Sequence, residues 1–199
     1  MRPGFGTRHP ALLELLATVR PAFAGEDAWG GGETPLRIAA YDRPAALPDE
    51  LITSARCVVL VGEAAVICRN ADGILHALPG GRREPGETLA GTAAREVGEE
   101  TGWLIDPATL EELGWLHYQH LAPRPEGNPY SRYPWPDFLQ VVFGARASER
   151  LGGVDGEWTD TEGYERSSFT APVAEAIRLV HREPWSVVFL EAATRASHL

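Results

Sequence analysis

The spacing of apolar and polar positions changes several times along the 199 residues, and each change marks an element. Over residues 10–20 the apolar positions recur at helical spacing. Leu12, Leu13, Leu15, Leu16 and Val19 share one side, which predicts a short amphipathic helix. A glycine cluster, Gly30 to Gly32, breaks the chain before a strand-like run at 36–41, and Pro44 and Pro48 mark another turn region. From Cys57 the pattern becomes strand-like. Runs at 57–61 and 64–68, rich in valine and isoleucine, are separated by Gly62-Glu63, as in a hairpin. A turn at 70–73 and a short strand at 74–78 lead into Pro79-Gly80-Gly81. Residues 88–101 return to helical period, with Thr88 placed as N-cap and Gly102 as the C-terminal stop. Strands are expected at 113–119 and 138–145, a helix at 172–181 and a short strand at 187–190. Strands and helices mix without strict alternation, which predicts an α+β fold with a mixed sheet between helices. Residues 1–52 read as an N-terminal extension and 53–199 as the main domain.

Charge narrows the partners. The chain carries 18 basic and 28 acidic residues, a formal net charge of −10. A long nucleic acid is normally met by a basic stripe, so that class of partner is not expected. An acidic protein binds a polyphosphate when divalent cations invert the local charge. The two cysteines, Cys57 and Cys68, lack CxxC spacing and fall in predicted strands, so they read as free thiols in a reducing cytoplasm. Arg2 and Arg8 precede an apolar stretch at 11–19, but Glu14 interrupts it, which favours a surface helix over a secretory signal. No run approaches the length of a membrane span.

The informative segment runs from Gly81 to Trp103: GRREPGETLAGTAAREVGEETGW. It is a glycine-containing turn followed by a helix whose second half carries Glu96, Glu99 and Glu100. At helical pitch Glu99 lies about 60° to one side of Glu96 and Glu100 about 40° to the other. Three carboxylates therefore share one face, while Ala90, Ala94, Val97 and Thr101 form another, expected to bury against the sheet. Like charges at this spacing repel, they crowd the helix end where the macrodipole disfavours anions, and Gly98 weakens the helix further. Such clustered violations of local helix physics are expected at functional sites. A hard cation such as Mg²⁺ relieves the electrostatic part, since it takes carboxylate oxygens and keeps other positions for water and phosphate.

The same segment resembles the box of the Nudix hydrolase family: a Gly, five residues, a Glu, seven residues, Arg-Glu, an apolar residue, any residue, Glu-Glu, any residue, Gly and an apolar residue. Gly81, Glu87, Arg95, Glu96, Val97, Glu99, Glu100, Gly102 and Trp103 stand in register. Chance agreement of the seven fixed residues at one start is on the order of 10⁻⁹ to 10⁻⁸. Trp103 departs from the usual aliphatic residue. The strand ending at Arg69, the turn after it and Leu78-Pro79-Gly80-Gly81 also resemble the family, over about 57–147.

The resemblance implies a Nudix-type α/β/α sandwich and a Mg²⁺- or Mn²⁺-dependent hydrolase that cleaves a diphosphate bond in a nucleoside diphosphate linked to another moiety. It implies Glu96, Glu99 and Glu100 as metal ligands, with the Gly81 carbonyl as another, and catalytic roles for Glu96, Glu100, Arg95 and Glu87. Arg95 and Glu87 are expected to pair and to aim the carboxylates. The general base stays open among Glu96, Glu100, Glu126, Glu157, Glu162 and Glu165. Arg69 is a candidate phosphate contact by position. The aromatic- and proline-rich loop at 121–136 supplies further candidate substrate contacts, Arg132 and Trp135 above all, since ring and guanidinium planes suit a nucleobase. His117 and His120 read as satisfied histidines rather than a metal pair. A homodimer is compatible with the sequence. The alternative is a non-catalytic sensor or adapter on the same fold, which has less reason to keep three mutually repelling carboxylates. ADP-ribose, dinucleotides, nucleotide sugars, nucleoside triphosphates and coenzyme A derivatives all remain open as substrates.

Overall fold

A computed structural model describes residues 6–29, 32–124, 133–152, 158, 160 and 163–196. Helix α1 (Pro10–Thr18) precedes a strand pair, β1 (Phe23–Trp29) and β2 (Thr34–Tyr41). The long strand β3 (Ile52–Val61) turns through Gly62-Glu63 into β4 (Ala64–Asn70), followed by the short β5 (Leu75–His76) and β6 (Gly80–Arg82). Helix α2 (Leu89–Thr101), β7 (Trp103–Leu104), β8 (Glu111–His120), β9 (Asp137–Arg146) and β10 (Glu149–Arg150) come next. The chain ends in β11 (Glu165–Pro172), α3 (Val173–Leu179) and α4 (Pro184–Arg195).

Among the described residues nine strands make one sheet in the order β1-β2-β8-β9-β3-β4-β11, with β5 added to β4 and β6 to β3. The β3–β9 pair is parallel and every other pair is antiparallel, so the sheet is mixed. Period-2 alternation along β3 sorts its side chains between two cores. Cys57 and Val59 join Ala93 and Val97 of α2, while Val58 and Leu60 join Phe189 and Leu190 of α4 and Ala176 of α3. Helices thus cover both faces, the Nudix α/β/α arrangement. Because β2 pairs with β8 across Leu36–His120 to Tyr41–Trp115, strands preceding residue 52 extend the central sheet.

Helix α1 lies over the end of that sheet, where Leu12 is fully buried among Ala39, Tyr41, Trp115 and Leu139. Its approach is pinned by Asp137, whose buried carboxylate accepts bonds from Arg8 Nε at 2.8 Å, Arg8 Nη2 at 3.0 Å and, across β8–β9, His117 Nε2 at 2.7 Å. Burial alone would raise the Asp137 carboxyl, but the bonds from His117 and Arg8 outweigh it and hold it below its ordinary value. A carboxyl depressed in the folded state contributes stability above its unfolded value, about 3.9, and loses it as pH falls through the folded value. Asp137→Asn is therefore expected to cost about 3 kcal/mol at neutral pH, or about 6–12 °C in melting temperature. The gap between variant and parent should close as melting is followed from pH 5 downward. A constant gap would assign the loss to packing instead of charge.

Two expectations need correction. Residues 187–190 are not a strand. Pro184 starts a helix through Arg195 there, because Phe189 and Leu190 meet Ala192 and Ala193 at helical spacing against the sheet. The buried side of α2 is also rotated from the expected Ala90, Ala94, Val97 and Thr101 set. Thr92, Ala93, Val97, Glu100 and Thr101 are the buried residues, so one of the three carboxylates faces inward.

Candidate active site

Helix α2 begins where Thr88 accepts the Gly91 N–H at 3.0 Å and ends at Gly102, which has φ 74° and donates to Gly98 O at 3.0 Å. That left-handed turn suits glycine, and the Trp158 ring packs on its Cα side with Nε1 donating to Glu99 O at 2.9 Å. The helix end that carries the acids is thus held by a side chain 59 residues further along the chain.

Arg95 organises the acidic face. Its Nε donates to Glu87 Oε1 at 2.8 Å and its Nη2 to Glu87 Oε2 at 3.1 Å and to Arg82 O at 3.1 Å. The remaining Nη1 reaches Glu99 Oε2 at 2.9 Å and Glu96 Oε1 at 3.0 Å. Glu87 also accepts from Thr92 Oγ1 at 2.8 Å and from the Glu84 N–H at 3.0 Å. Its hydrogen bonds from Arg95, chief among these, hold the Glu87 carboxyl down to about 2. The planar fork of arginine suits it to this bidentate grip on Glu87.

Glu96 lies against β6. A Cβ on Gly81 would sit 2.5–2.6 Å from the Glu96 carboxylate, so only glycine leaves room for the side chain there. Glu100 is buried, and its Oε2 accepts the Gly80 N–H at 2.7 Å. Burial pushes its carboxyl up to about 8, although Arg56 and the Gly80 N–H pull the other way. Burial also raises Glu96 against the opposing pull of Arg95. Glu99 is the most exposed of the three. The structure therefore brings Gly81, Glu87, Arg95, Glu96, Glu99 and Glu100 together. Burial thus disfavours the charge of two of the acids, a situation a divalent cation relieves. Gly81→Ala should push the Glu96 carboxylate aside and lower activity at least about tenfold, with little change in melting temperature because only a flexible side chain must yield. Full activity in that variant would contradict the close approach.

A cavity of about 730 Å³ is lined in part by Trp29, Arg56, His76, Tyr118, Glu165 and Trp185, and no residue of α2 lines it. The charges of Arg56, His76 and Glu165 on the cavity wall also act on Glu100. Arg56 is fixed by Nε to Gln140 Oε1 at 2.8 Å and by Nη1 to Leu78 O at 2.9 Å. The sequence gives no sign of Arg56 or Trp29. Each reaches the cavity because β1 and β3 lie in one sheet.

The substrate-contact candidates are dispersed. Arg69 is exposed on β4 and does not line the cavity. Trp135 lies with its ring stacked on His120, centroids 3.4 Å apart, and the Arg124 guanidinium sits 5.6 Å from its own. Arg132 and the general-base candidates Glu126, Glu157 and Glu162 lie outside the described residues.

The NUDIX domain matches residues 51–185, more than half of the chain. The chain belongs to the NUDIX family. The 8-oxo-dGDP phosphatase NUDT18 of Mus musculus and that of Homo sapiens are each 44% identical to it over 75 residues, 35% of this chain and 22% of theirs. The matched segment thus spans about a fifth of those relatives. Among solved structures, a NUDIX hydrolase from Nitrosomonas europaea superposes with a TM-score of 0.53 at 18% identity, covering 72% of this chain and 89% of that one. A NUDIX hydrolase from Listeria monocytogenes gives 0.51 at 15% identity, covering 72% and 92%. At those identities the structures speak for the shared fold. The observed α/β/α layers and the position of α2 agree with membership in the family.

Proposed function

We propose that this NUDIX protein is a Mg²⁺- or Mn²⁺-dependent hydrolase that cleaves the diphosphate of a nucleoside diphosphate or of a nucleoside diphosphate linked to another group. The observation that carries this reading is the pair of half-buried to buried carboxylates, Glu96 and Glu100, clasped against Gly80-Gly81 where burial disfavours their charge. Glu96, Glu99 and Glu100, with the Gly81 carbonyl, are the groups that fit a hard cation. Such an ion, when bound, neutralises diphosphate charge and activates water for attack at phosphorus.

The protein's own side chains supply the remainder. Arg95 holds Glu96 and Glu99 in place and is itself fixed by Glu87 and the Arg82 carbonyl. Arg56 brings a fixed positive charge to the cavity wall, where a phosphate oxygen would be favoured. Trp29, Tyr118 and Trp185 give the cavity apolar ring surface suited to a base or a second moiety. Arg69, Arg132 and Trp135 are retained as candidate substrate contacts. The two free, buried cysteines fit a reducing cytoplasm. No helix of the described residues is long and apolar enough to cross a membrane.

The relatives' name puts oxidised guanine nucleotides on the substrate panel, beside ADP-ribose, dinucleoside polyphosphates, nucleotide sugars and coenzyme A derivatives. With Mg²⁺ or Mn²⁺ present, at least one of these should turn over to two phosphate-bearing products, or to a nucleoside monophosphate and phosphate. Tight binding of a panel member without any turnover would replace the hydrolase reading with that of a ligand sensor.

A further inference from the structure

We infer that Cys68, His76 and Glu165 form a second metal site, for a thiophilic divalent cation of the zinc type, separate from the acidic face of α2. Three neighbouring strands bring the residues together. Cys68 stands opposite His76 in the β4–β5 pair, and in the β4–β11 pair Glu165 stands opposite Asn70, two residues along β4 from Cys68. A ligand atom from each lies within 4.8 Å of the others, and all three residues are buried. A tetrahedral zinc ion holds sulfur, nitrogen and oxygen ligands about 3.2–3.8 Å apart, so closure asks for shifts on the order of 1 Å.

Glu165 supplies an independent observation. Its Oε1 meets His76 Nε2 at 2.9 Å, while its Oε2 is buried with no hydrogen-bond partner among the described residues. A buried carboxylate oxygen left alone is costly, and a cation between Glu165 and Cys68 removes that cost.

Ligand chemistry separates this site from the other. Three carboxylates and a carbonyl suit magnesium, whereas one thiolate, one imidazole and one carboxylate suit zinc. On binding, the Cys68 thiol releases its proton, and the neutral His76 ring moves its own from Nε2 to Nδ1. The second step gives up the 2.9 Å bond to Glu165 Oε1, which the shared cation replaces, and the long 3.4 Å contact from the Leu78 N–H. His76 and Glu165 also line the large cavity, which leaves a fourth coordination position open to water or to a donor atom of a bound molecule.

Titrating the full chain with Co²⁺ in excess Mg²⁺ tests this. A near-ultraviolet thiolate-to-cobalt charge-transfer band should grow and saturate at stoichiometric Co²⁺. It should vanish in Cys68→Ala, persist in Cys57→Ala, and persist in Glu96→Gln, which alters the acidic face alone. Glu165→Gln and His76→Gln keep both thiols and should weaken Co²⁺ binding at least about tenfold, a check that stands even where Cys68→Ala folds poorly. Absence of the band, its survival in Cys68→Ala, or its loss in Cys57→Ala or Glu96→Gln would overturn the assignment. So would unchanged Co²⁺ affinity in both the Glu165 and His76 variants.

Discussion

Glu100→Gln is expected to lower turnover about a hundredfold or more while leaving the fold intact, because a ligand for the proposed cation loses its charge. The substitution is close to isosteric, and the amide oxygen can still accept the Gly80 N–H that Glu100 takes at 2.7 Å. Stability should move in the opposite direction. A carboxyl raised from its ordinary value to about 8 favours the folded state below the unfolded value, and that contribution is lost as pH rises through about 8. Near neutral pH the metal-free fold must therefore hold this carboxyl largely protonated while the unfolded chain would ionise it, and glutamine removes that cost. Melting in the presence of chelator should rise by about 2–4 °C for each kcal/mol relieved, and Mg²⁺ should stabilise the parent more than the variant. Wild-type turnover, or an unchanged response to Mg²⁺, would remove Glu100 from the metal site.

Arg95→Ala should reduce activity about ten- to a hundredfold by a different route, loss of aim. The guanidinium is a hub for Glu87, Glu96 and Glu99 and is tied to the Arg82 carbonyl. Without it three carboxylates lose their cation, so the metal-free variant should melt lower, and added Mg²⁺ should recover part of the loss. Metal affinity should fall less than in Glu100→Gln because the ligands themselves remain. Lysine cannot reproduce the fork, so Arg95→Lys should stay impaired. Equal, complete loss of Mg²⁺ binding in the Arg95 and Glu100 variants would show that the two residues do not divide the work in this way.

The acidic helix was readable in the chain because its information is local. Thr88 and Gly102 bracket it, its apolar residues keep one period, and the box spacing falls within 23 residues. The bounds of α2 accordingly match expectation, with Thr88 as N-cap and Gly102 as C-cap. Strand β1 escaped notice because FAGEDAW lacks a sustained apolar alternation, and it is ordered by pairing with β2. Strand β11, with Ser167, Ser168 and Thr170, is likewise set by its register on β4. The valines at 187 and 188 suggested a strand, but packing on the sheet overrode that local preference in favour of α4.

The site divides in the same way. Glu87, Arg95, Glu96, Glu99 and Glu100 lie on one short segment, so their spacing carried their geometry. Arg56, Trp29 and Glu165 come from strands far apart in sequence, and the sheet order that joins them leaves no short motif. The inward turn of Glu100 was hidden for a related reason. Helical spacing alone put it beside Glu96, and only the approach of Gly80 from β6 shows that it faces the sheet.

The central claim is that divalent cations at the acidic face of α2 drive cleavage of a diphosphate. Its most direct test follows the best panel substrate by phosphorus NMR in ¹⁸O-labelled water, with chelator-stripped protein and then with Mg²⁺ or Mn²⁺ added back. The expected result is no cleavage without metal, recovery on add-back with the label in a phosphate-bearing product, and little recovery in Glu100→Gln. Cleavage by the stripped protein at an undiminished rate, or full recovery in Glu100→Gln, would contradict the account.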